Sequence, residues 1–563
     1  MMRNLSLVVL GFTALARVQA SWQFLSRPDL STPVLNITQL DADKVAPGYL
    51  FVAPFAGGSD HEKHSPLQPG PYIYTSQGDL VWTGFAQYFS IWTVNLQKTK
   101  FKGKDALFAF QGKHNAAHGH GHGHIKILDS SYRTVGEVRA GHHRLIDKHE
   151  GQILDDGKSA LVQIYQPVAR DLSEVGGDDD HQWIVDAQFQ EIDVESGDVL
   201  FEWHSLDHVP PSHSNISLQS GQAGDGSDSS EAWDYFHINS VDKDADGHYL
   251  LSARDVNSVY KIHGRTGKII WRLGGRNEHS DFQALDQETS FSYQHHARFQ
   301  GRDKRGREII SLYDNSAHGT ETDGGSEVRD APTSSGKILA LDHKEKTVET
   351  VQAFYPPFPL LSKSQGSTHV LPSGNVLVNW GSEGAVTEYT SDGTAIFHAF
   401  LDSGKLAAGV QNYRAFKSEW TGRPTEEAAV AGLLYSSAPG GKLVPYSASS
   451  SNAKLLVAAS WNGDTEVATW RFVARDEQQK IKKLGEGKRK GFETRFLIDF
   501  ELGVGSHELS HVRAEGLDRK GRVLTETRWE KIEHDRAVPP EFRAGLSPLP
   551  SQKKNAQLVF QHV

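Results

Sequence analysis

Short runs of β-branched and aromatic residues, separated by Gly, Asp, Asn and Ser, fill most of this 563-residue chain, and long apolar runs of helical period are hard to find. The runs recur as a unit: an opening segment, a Gly- or Asp-containing turn, an apolar strand, then two more strands joined by tight turns. Units of three or four antiparallel strands repeating every ~60 to 90 residues predict an all-β fold, a β-propeller of six or seven four-stranded blades. Closing that ring by pairing the N- and C-terminal strands removes free sheet edges.

In chain order, Arg3 precedes the apolar run from Leu5 to Ala16, and Val18 and Ala20 hold the small-residue positions before a cut. That arrangement predicts a secretory signal peptide over residues 1–20, leaving residues 21–563 as one exported propeller domain that starts near Ser21. The apolar run is short for a bilayer, and no later stretch reaches about 18 apolar residues, so no membrane association is expected. In an exported protein Asn36 (NIT) and Asn215 (NIS) become candidate glycosylation acceptors.

GYLFVAP and PYIYTSQGDLVW read as outer strands waiting for partners. HEGQILDDG–KSALVQIY with DAQFQEIDV–GDVLFEWHS (149–205) forms one copy of the unit, and HINSVDKDADG–HYLLSARD–SVYKIHG–KIIWRLGG (237–275) another. HHARFQGRDKRG–REIISLYDN with GKILALDH–KTVETVQAFY is a third, and STHVLPSG–NVLVNWG–AVTEYTS–TAIFHAFL a fourth. NAKLLVAASWN–EVATWRFVA–RFLIDFEL reads as a further unit, and HVRAEGLDRKG–RVLTETRW as a half-unit that pairs with the N-terminal strands. Residues 216–231 and 319–336 read as irregular loops, and 476–490 as a basic loop or strand extension.

The charge balance, 59 Lys and Arg against 70 Asp and Glu, gives −11 and lacks the basic footprint of a nucleic-acid binder. Without a single Cys, thiol nucleophiles, disulfides and iron–sulfur sites are excluded. Histidine is abundant, at 28, and several recur at one phase of the unit. His149, His237, His295 or its neighbour His296, and His511 each lie 8 to 11 residues before a turn glycine. In a propeller the first strand of each blade lines the channel, so these imidazoles are expected to converge. Asn239 shares a strand face with His237, and Arg254 closes the next strand. Imidazoles, an Asn and an Arg around one pocket suit a tetrahedral oxyanion, and a neutral imidazole is itself a nucleophile. The competing reading of Arg254 is a salt bridge to a neighbouring Asp.

The stretch KHNAAHGHGHGHIK places His118, His120, His122 and His124 on one face if extended, a weak candidate for Zn²⁺, Ni²⁺ or Cu²⁺. DKDADG begins like a calcium loop, but its twelfth position is Ala253 and strands flank it, so it reads as a turn. Gly157–Ser159 lacks phosphate-loop spacing because Gln152 holds the first glycine position, and no G-x-S-x-G is present.

WDYFHINSVDKDADGHYLLSARDVNSVYKIHGRTGKIIWRLGG resembles the core motif of the arylsulfotransferase family in its fungal branch. FSYQHHARF with ISLYDN, DKHEGQIL, VDAQFQEIDVESGDVLFEW and SWNGDTEVATWRF with GFET extend the resemblance over roughly residues 45–530. It implies transfer of a sulfuryl group from an aryl sulfate to a phenol through a sulfated histidine, with neither a nucleotide donor nor a cofactor. By motif, His295 falls at the sulfated position, and His149, His237, Asn239 and Arg254 where the sulfuryl group is bound. His296 stands where an acidic residue is usual, which leaves either ring as the nucleophile. At the STHVLPSG unit Gln365 takes the channel position, with His369 displaced by four residues. The partners implied are an aryl sulfate and a phenol-like acceptor, and a monomer is expected. Two other readings stand beside this one: a cyclase or hydrolase of secondary metabolism that keeps the pocket and uses the same histidines, and a non-catalytic metal- or ligand-binding propeller, with metal held by the His-rich stretch.

Overall fold

A computed structural model describes residues 24–57, 66–88, 92–115, 118–275, 279–319, 328–403, 409–438, 442–447, 452–501, 509–534 and 536–539. The expected signal peptide lies outside them. The described chain is all-β with almost no helix, built mainly from antiparallel four-stranded sheets.

Six sheets follow one another. Sheet 1 holds Tyr49–Val52, Tyr72–Tyr74 and Leu80–Thr83, with Phe416–Ser418 paired on the free side of Tyr49–Val52. Sheet 2 holds Trp92–Phe101, Lys104–Asn115, His120–Asp129 and Thr134–Val138. Sheet 3 holds Gly151–Leu154, Ser159–Ala169, Trp183–Asp193 and Val199–His204. Ile238–Lys243, Tyr249–Ala253, Ser258–Ile262 and Ile269–Gly274 make sheet 4. Sheet 5 runs His295–Arg302, Glu308–Asp314, Ser335–Asp342 and Thr347–Phe354, with Gln283–Ala284 added in parallel at its outer edge. Ser367–Val370, Val376–Asn379, Ala385–Tyr389 and Ala395–Phe400 form sheet 6, with Asn36–Leu40 on its outer edge.

Inner strands such as Tyr249–Ala253 read as continuous runs because they are buried along their whole length, whereas outer strands such as Val199–His204 are partly exposed. Leu161, Phe189, Tyr249 and Leu251 join sheet 3 to sheet 4, and Leu250, Val259, Ile310 and Leu339 join sheet 4 to sheet 5. Tyr313, Val376 and Val378 join sheets 5 and 6, and Val52, Tyr74, Leu377 and Phe397 pack sheet 6 on sheet 1. Val81, Leu96 and Leu107 join sheets 1 and 2, and Phe108, Ile127, Val162 and Ile192 join sheets 2 and 3. The order of packing therefore returns to its start. The DKDADG segment is a turn whose Gly247, at φ +81°, lets Ile238–Lys243 double back into Tyr249–Ala253.

The last strands depart from the expected repeat. Ala429–Ser437, Leu443–Pro445, Asn452–Ser460 and Glu493–Glu501 make one sheet, whereas Thr469–Asp476, Ile481–Lys488, Leu509–Leu517 and Val523–Glu526 make another. The expected unit 452–502 is thus split between two sheets, which face each other across Val430, Leu455, Val457, Trp470, Phe472 and Val512. The half-unit around His511 pairs with Thr469–Asp476 and not with the N-terminal strands. Phe416–Ser418, which follows sheet 6 and the short strand Val410–Gln411, takes that place beside Tyr49–Val52. The basic stretch 476–490 is largely the strand Ile481–Lys488, 216–231 holds the 3-10 turn Leu218–Ser220, and residues 320–327 of the stretch 319–336 lie outside the described residues.

Candidate active site

The inner strands deliver polar side chains where apolar ones would otherwise pack. His149 stands just before Gly151–Leu154, His237 before Ile238–Lys243, Gln365 before Ser367–Val370, and His295 opens His295–Arg302. Register shifts interrupt the ladders at Ile238/Ser240 and His295/Arg298, and His237, His296 and Gln365 adopt φ of +54°, +56° and +65°. Bulged, left-handed backbone at these points re-aims side chains away from simple alternation.

His149 and His237 meet ring to ring, with centroids 4.8 Å apart at 79°. Tyr165 packs 5.5 Å from His149 and 5.4 Å from His237, and its hydroxyl donates to the Ile238 carbonyl at 2.5 Å. Tyr413, from the segment that closes sheet 1, lies 5.4 Å from His149 and 6.3 Å from His295. His295, His237, His149 and Arg254 are only 2, 8, 4 and 6 % exposed, so water barely reaches the cluster.

His295 Nδ1 donates to Asn315 Oδ1 at 2.7 Å and lies 3.1 Å from the Tyr293 carbonyl. Asn315 is itself locked, its amide donating to the carbonyls of Ser362 and Gln365 at 3.0 and 2.9 Å. With Nδ1 carrying the proton, Nε2 holds the lone pair, and the Gln365 N–H approaches it at 3.3 Å. Burial, then the nearby Arg254 charge, push the His295 imidazolium well below its ordinary range, with His237 and His149 adding to the effect. The ring is therefore neutral at neutral pH. His149 donates from Nδ1 to Asp147, yet burial outweighs that carboxylate and lowers the imidazole to about 3.

Arg254 makes the salt bridge to a neighbouring Asp that is the competing reading of it. Nη1 donates to Asp255 at 2.8 Å, Nη2 to His318 Nδ1 at 2.7 Å and to the Lys363 carbonyl at 3.2 Å, while Nε has no protein partner among the described residues. His318 in turn donates from Nε2 to Gln222 at 3.1 Å, and burial lowers it to about 2. Behind the cluster a fully buried Arg414 donates to Glu150 at 3.0 Å and to the carbonyls of His149 and Asn239 at 2.8 and 2.6 Å. Arg414 thus ties sheet 1 to the starts of sheets 3 and 4.

The other expected site residues divide. Asn239 is buried, but its amide donates to the Gln294 carbonyl at 2.6 Å. His296 points away from His295, against Phe416 at 5.9 Å, beside Arg298, Arg414 and His369. Gln365 joins the cluster and its amide donates to Gln411. His511 is remote: it sits in the C-terminal sheets beside the Ser510 hydroxyl. Of the His-rich strand, His120 reaches Asp234 at 2.9 Å, His118 lies 3.2 Å from Glu231, His124 is 3.8 Å from Glu137, and His122 is exposed. Asn36 is exposed, whereas the Asn215 amide donates to the Asp255 carbonyl at 3.3 Å. Asn315, Tyr413, Tyr165, Asp234 and His318 are additional members that spacing did not announce. A cavity of about 610 Å³ lined by Tyr49, Thr75, Lys98 and Trp420 lies apart from the imidazoles.

The family described as Arylsulfotransferase (ASST) matches residues 97–401, more than half of the chain and the span that holds every imidazole of the cluster. The chain belongs to the arylsulfotransferase family. The match supports aryl sulfotransferase activity in general. No curated protein matches this arylsulfotransferase. Solved structures that align with it include a protein of unknown function from Bacteroides caccae, 12 % identical, covering 66 % of this chain and 99 % of that one, with a TM-score of 0.36. A GH43 protein from Bacillus licheniformis is 8 % identical over 78 % of this chain and 91 % of its own, with a TM-score of 0.26. An exo-beta-1,3-galactanase from Phanerochaete chrysosporium is also 8 % identical, over 81 and 98 %, with a TM-score of 0.26.

Proposed function

We propose that this arylsulfotransferase, of the fungal branch by its motifs, is an exported six-bladed propeller. In this reading it moves a sulfuryl group from an aryl sulfate ester to a phenolic acceptor through a sulfated His295. The cyclic packing of sheets 1 to 6 supports the ring, with the two C-terminal sheets as an addition beside it.

The observation that carries the reaction is the state of His295: neutral, with Nδ1–H fixed on Asn315 and the Nε2 lone pair held only by a long 3.3 Å contact from the Gln365 N–H, which an incoming sulfuryl group would displace. Nε2 attacks sulfur, an S–N bond forms, and the S–O bond to the aryl group breaks, its electron pair leaving with the aryl oxygen. Asn315 Oδ1 accepts from the Nδ1–H of the resulting imidazolium. Arg254, with Nε uncommitted, and the imidazoles of His237 and His149 surround the charge that builds on the sulfuryl oxygens. A phenolic acceptor, its proton given up to solvent, then attacks sulfur through oxygen, and the S–N bond breaks with its electron pair returning to Nε2. Asn239 acts in this scheme through backbone position, since its amide is engaged with Gln294.

Steady-state kinetics test the scheme. Double-substitution gives parallel double-reciprocal lines and, without acceptor, a burst of one equivalent of phenol. Intersecting lines with no burst would reject the covalent route.

A further inference from the structure

We propose that His120, Asp234 and His237 form a binding site for a divalent zinc-type ion at the edge of the imidazole cluster. Asp234 Oδ2 sits between two ring nitrogens, 2.9 Å from His120 Nε2 and 2.7 Å from His237 Nδ1, and the three ligand atoms lie within 4.8 Å of one another. The two imidazoles come from separate sheets, with centroids 6.0 Å apart. Tetrahedral zinc with bonds of about 2.0–2.2 Å needs neighbouring ligand atoms about 3.4 Å apart, so small side-chain movements open the space.

The His-rich strand is built to deliver His120 here. A Cβ on Gly121 would approach the Lys113 carbonyl and Lys148 Cβ to 3.0 Å, and one on Gly123 would meet the Gln111 carbonyl at 2.1 Å. Glycine at alternate positions lets that face lie flat on its neighbours and turns the imidazoles to the other. The Gly121 N–H is anchored on Asp147 Oδ2 at 2.6 Å, and Tyr165 packs 4.2 Å from the His120 ring. Asp234 is fixed too, because its Oδ1 accepts the His237 N–H at 2.9 Å. Three buried carboxylates, Asp147, Asp234 and Asp255, gather around these rings, and Arg254 is already paired with Asp255. A cation fits that charge. The His118 ring lies 6.2 Å from that of His120 and 3.2 Å from the half-exposed Glu231, and His120 is itself partly exposed, which leaves a way in.

The ion would take the place of the Nδ1 proton of His237 and leave Nε2–H as a donor on the opposite side of a ring that needs no second proton. This site stands independently of sulfuryl transfer, because its test reads metal binding alone.

The test is a Co²⁺ titration of the chelator-stripped full-length protein, followed by visible absorption and displaced with Zn²⁺. The expected result is one equivalent bound with the intense bands of a low-coordinate site. His120→Ala and Asp234→Asn should weaken it at least tenfold, whereas His122→Ala with His124→Ala should leave it unchanged. His120 is partly exposed, so its variant remains informative if Asp234→Asn fails to fold. Failure to bind one equivalent, or loss with the His122/His124 pair and retention in His120→Ala, would overturn the proposal.

Discussion

Sheets 1 to 6 and the two C-terminal sheets are made of the same strand vocabulary, yet among the described residues only the six sheets bury histidines beside their apolar cores. Where the six sheets meet, neutral imidazoles, an Arg254–Asp255 pair and an Arg414–Glu150 pair are enclosed, each with named partners. Between the C-terminal sheets the buried layer is Val, Leu, Ala, Phe and Trp. Burial of a polar group is costly unless it is bonded, so a region that buries so many has an arrangement beyond stability. The family match ends at residue 401, before the apolar pair begins. Tyr413, beside His149 and His295, and Arg414, on the His149 carbonyl, lie between the two.

That contrast breaks most sharply at His295. His295→Ala is expected to reduce sulfuryl transfer by roughly a thousandfold or more while the protein stays folded, and His511→Ala to leave the rate unchanged. Steady-state rates beside thermal melts check both. Trp470→Ala, in the apolar region, should do the reverse. Removing a side chain that is 1 % exposed costs about 3–5 kcal/mol in denaturant unfolding, with the rate per folded molecule retained. Next in size, Asn315→Ala removes the acceptor of the His295 Nδ1 proton but leaves the Tyr293 carbonyl at 3.1 Å. A fall of about 10- to 100-fold in kcat with little change in KM is expected, and a larger change in KM would assign Asn315 to substrate binding.

Acid should separate the regions as well. His295, His149 and His318 titrate in the folded protein below the value of an unfolded histidine. The unfolded chain therefore takes up more protons as pH falls below about 6.5, and each such imidazole removes about 1.4 kcal/mol of stability per pH unit until its folded value is reached. Stability should fall from pH 7 to 5, while kcat should show no break near 6.5 if His295 is the only titrating group. Unfolding curves and a pH–rate profile test the two statements. Smallest of all, Glu526→Ala breaks a half-exposed pair with Arg513 at 2.8 Å and should cost under about 1 kcal/mol in the same unfolding assay.

The part of the site legible in the sequence was the part that repeats. His149, His237, His295 and Gln365 each open an inner strand, so a common phase within the unit exposes them. Arg254 was legible because it closes the strand that pairs with the one after His237. Asn315 was not, because its contact with His295 depends on a loop at Ser362–Gln365 that belongs to another sheet. Nor was Tyr413, on the segment that pairs with Tyr49–Val52 across more than 360 residues of chain. His295 and His296 are adjacent on one strand, so alternation sends their rings to opposite sides, and the bulged backbone at φ +56° sets their aim further. The C-terminal strands were misread as blades since pairing partners, not composition, distinguish a blade from a facing sheet.

The most direct test of the account is peptide mass spectrometry after the protein is mixed briefly with an aryl sulfate and no acceptor. The account predicts one sulfuryl group on the peptide carrying His295, placed by fragmentation on that ring and not on His296. An adduct on His296, or none on a folded protein offered several donors, would contradict it.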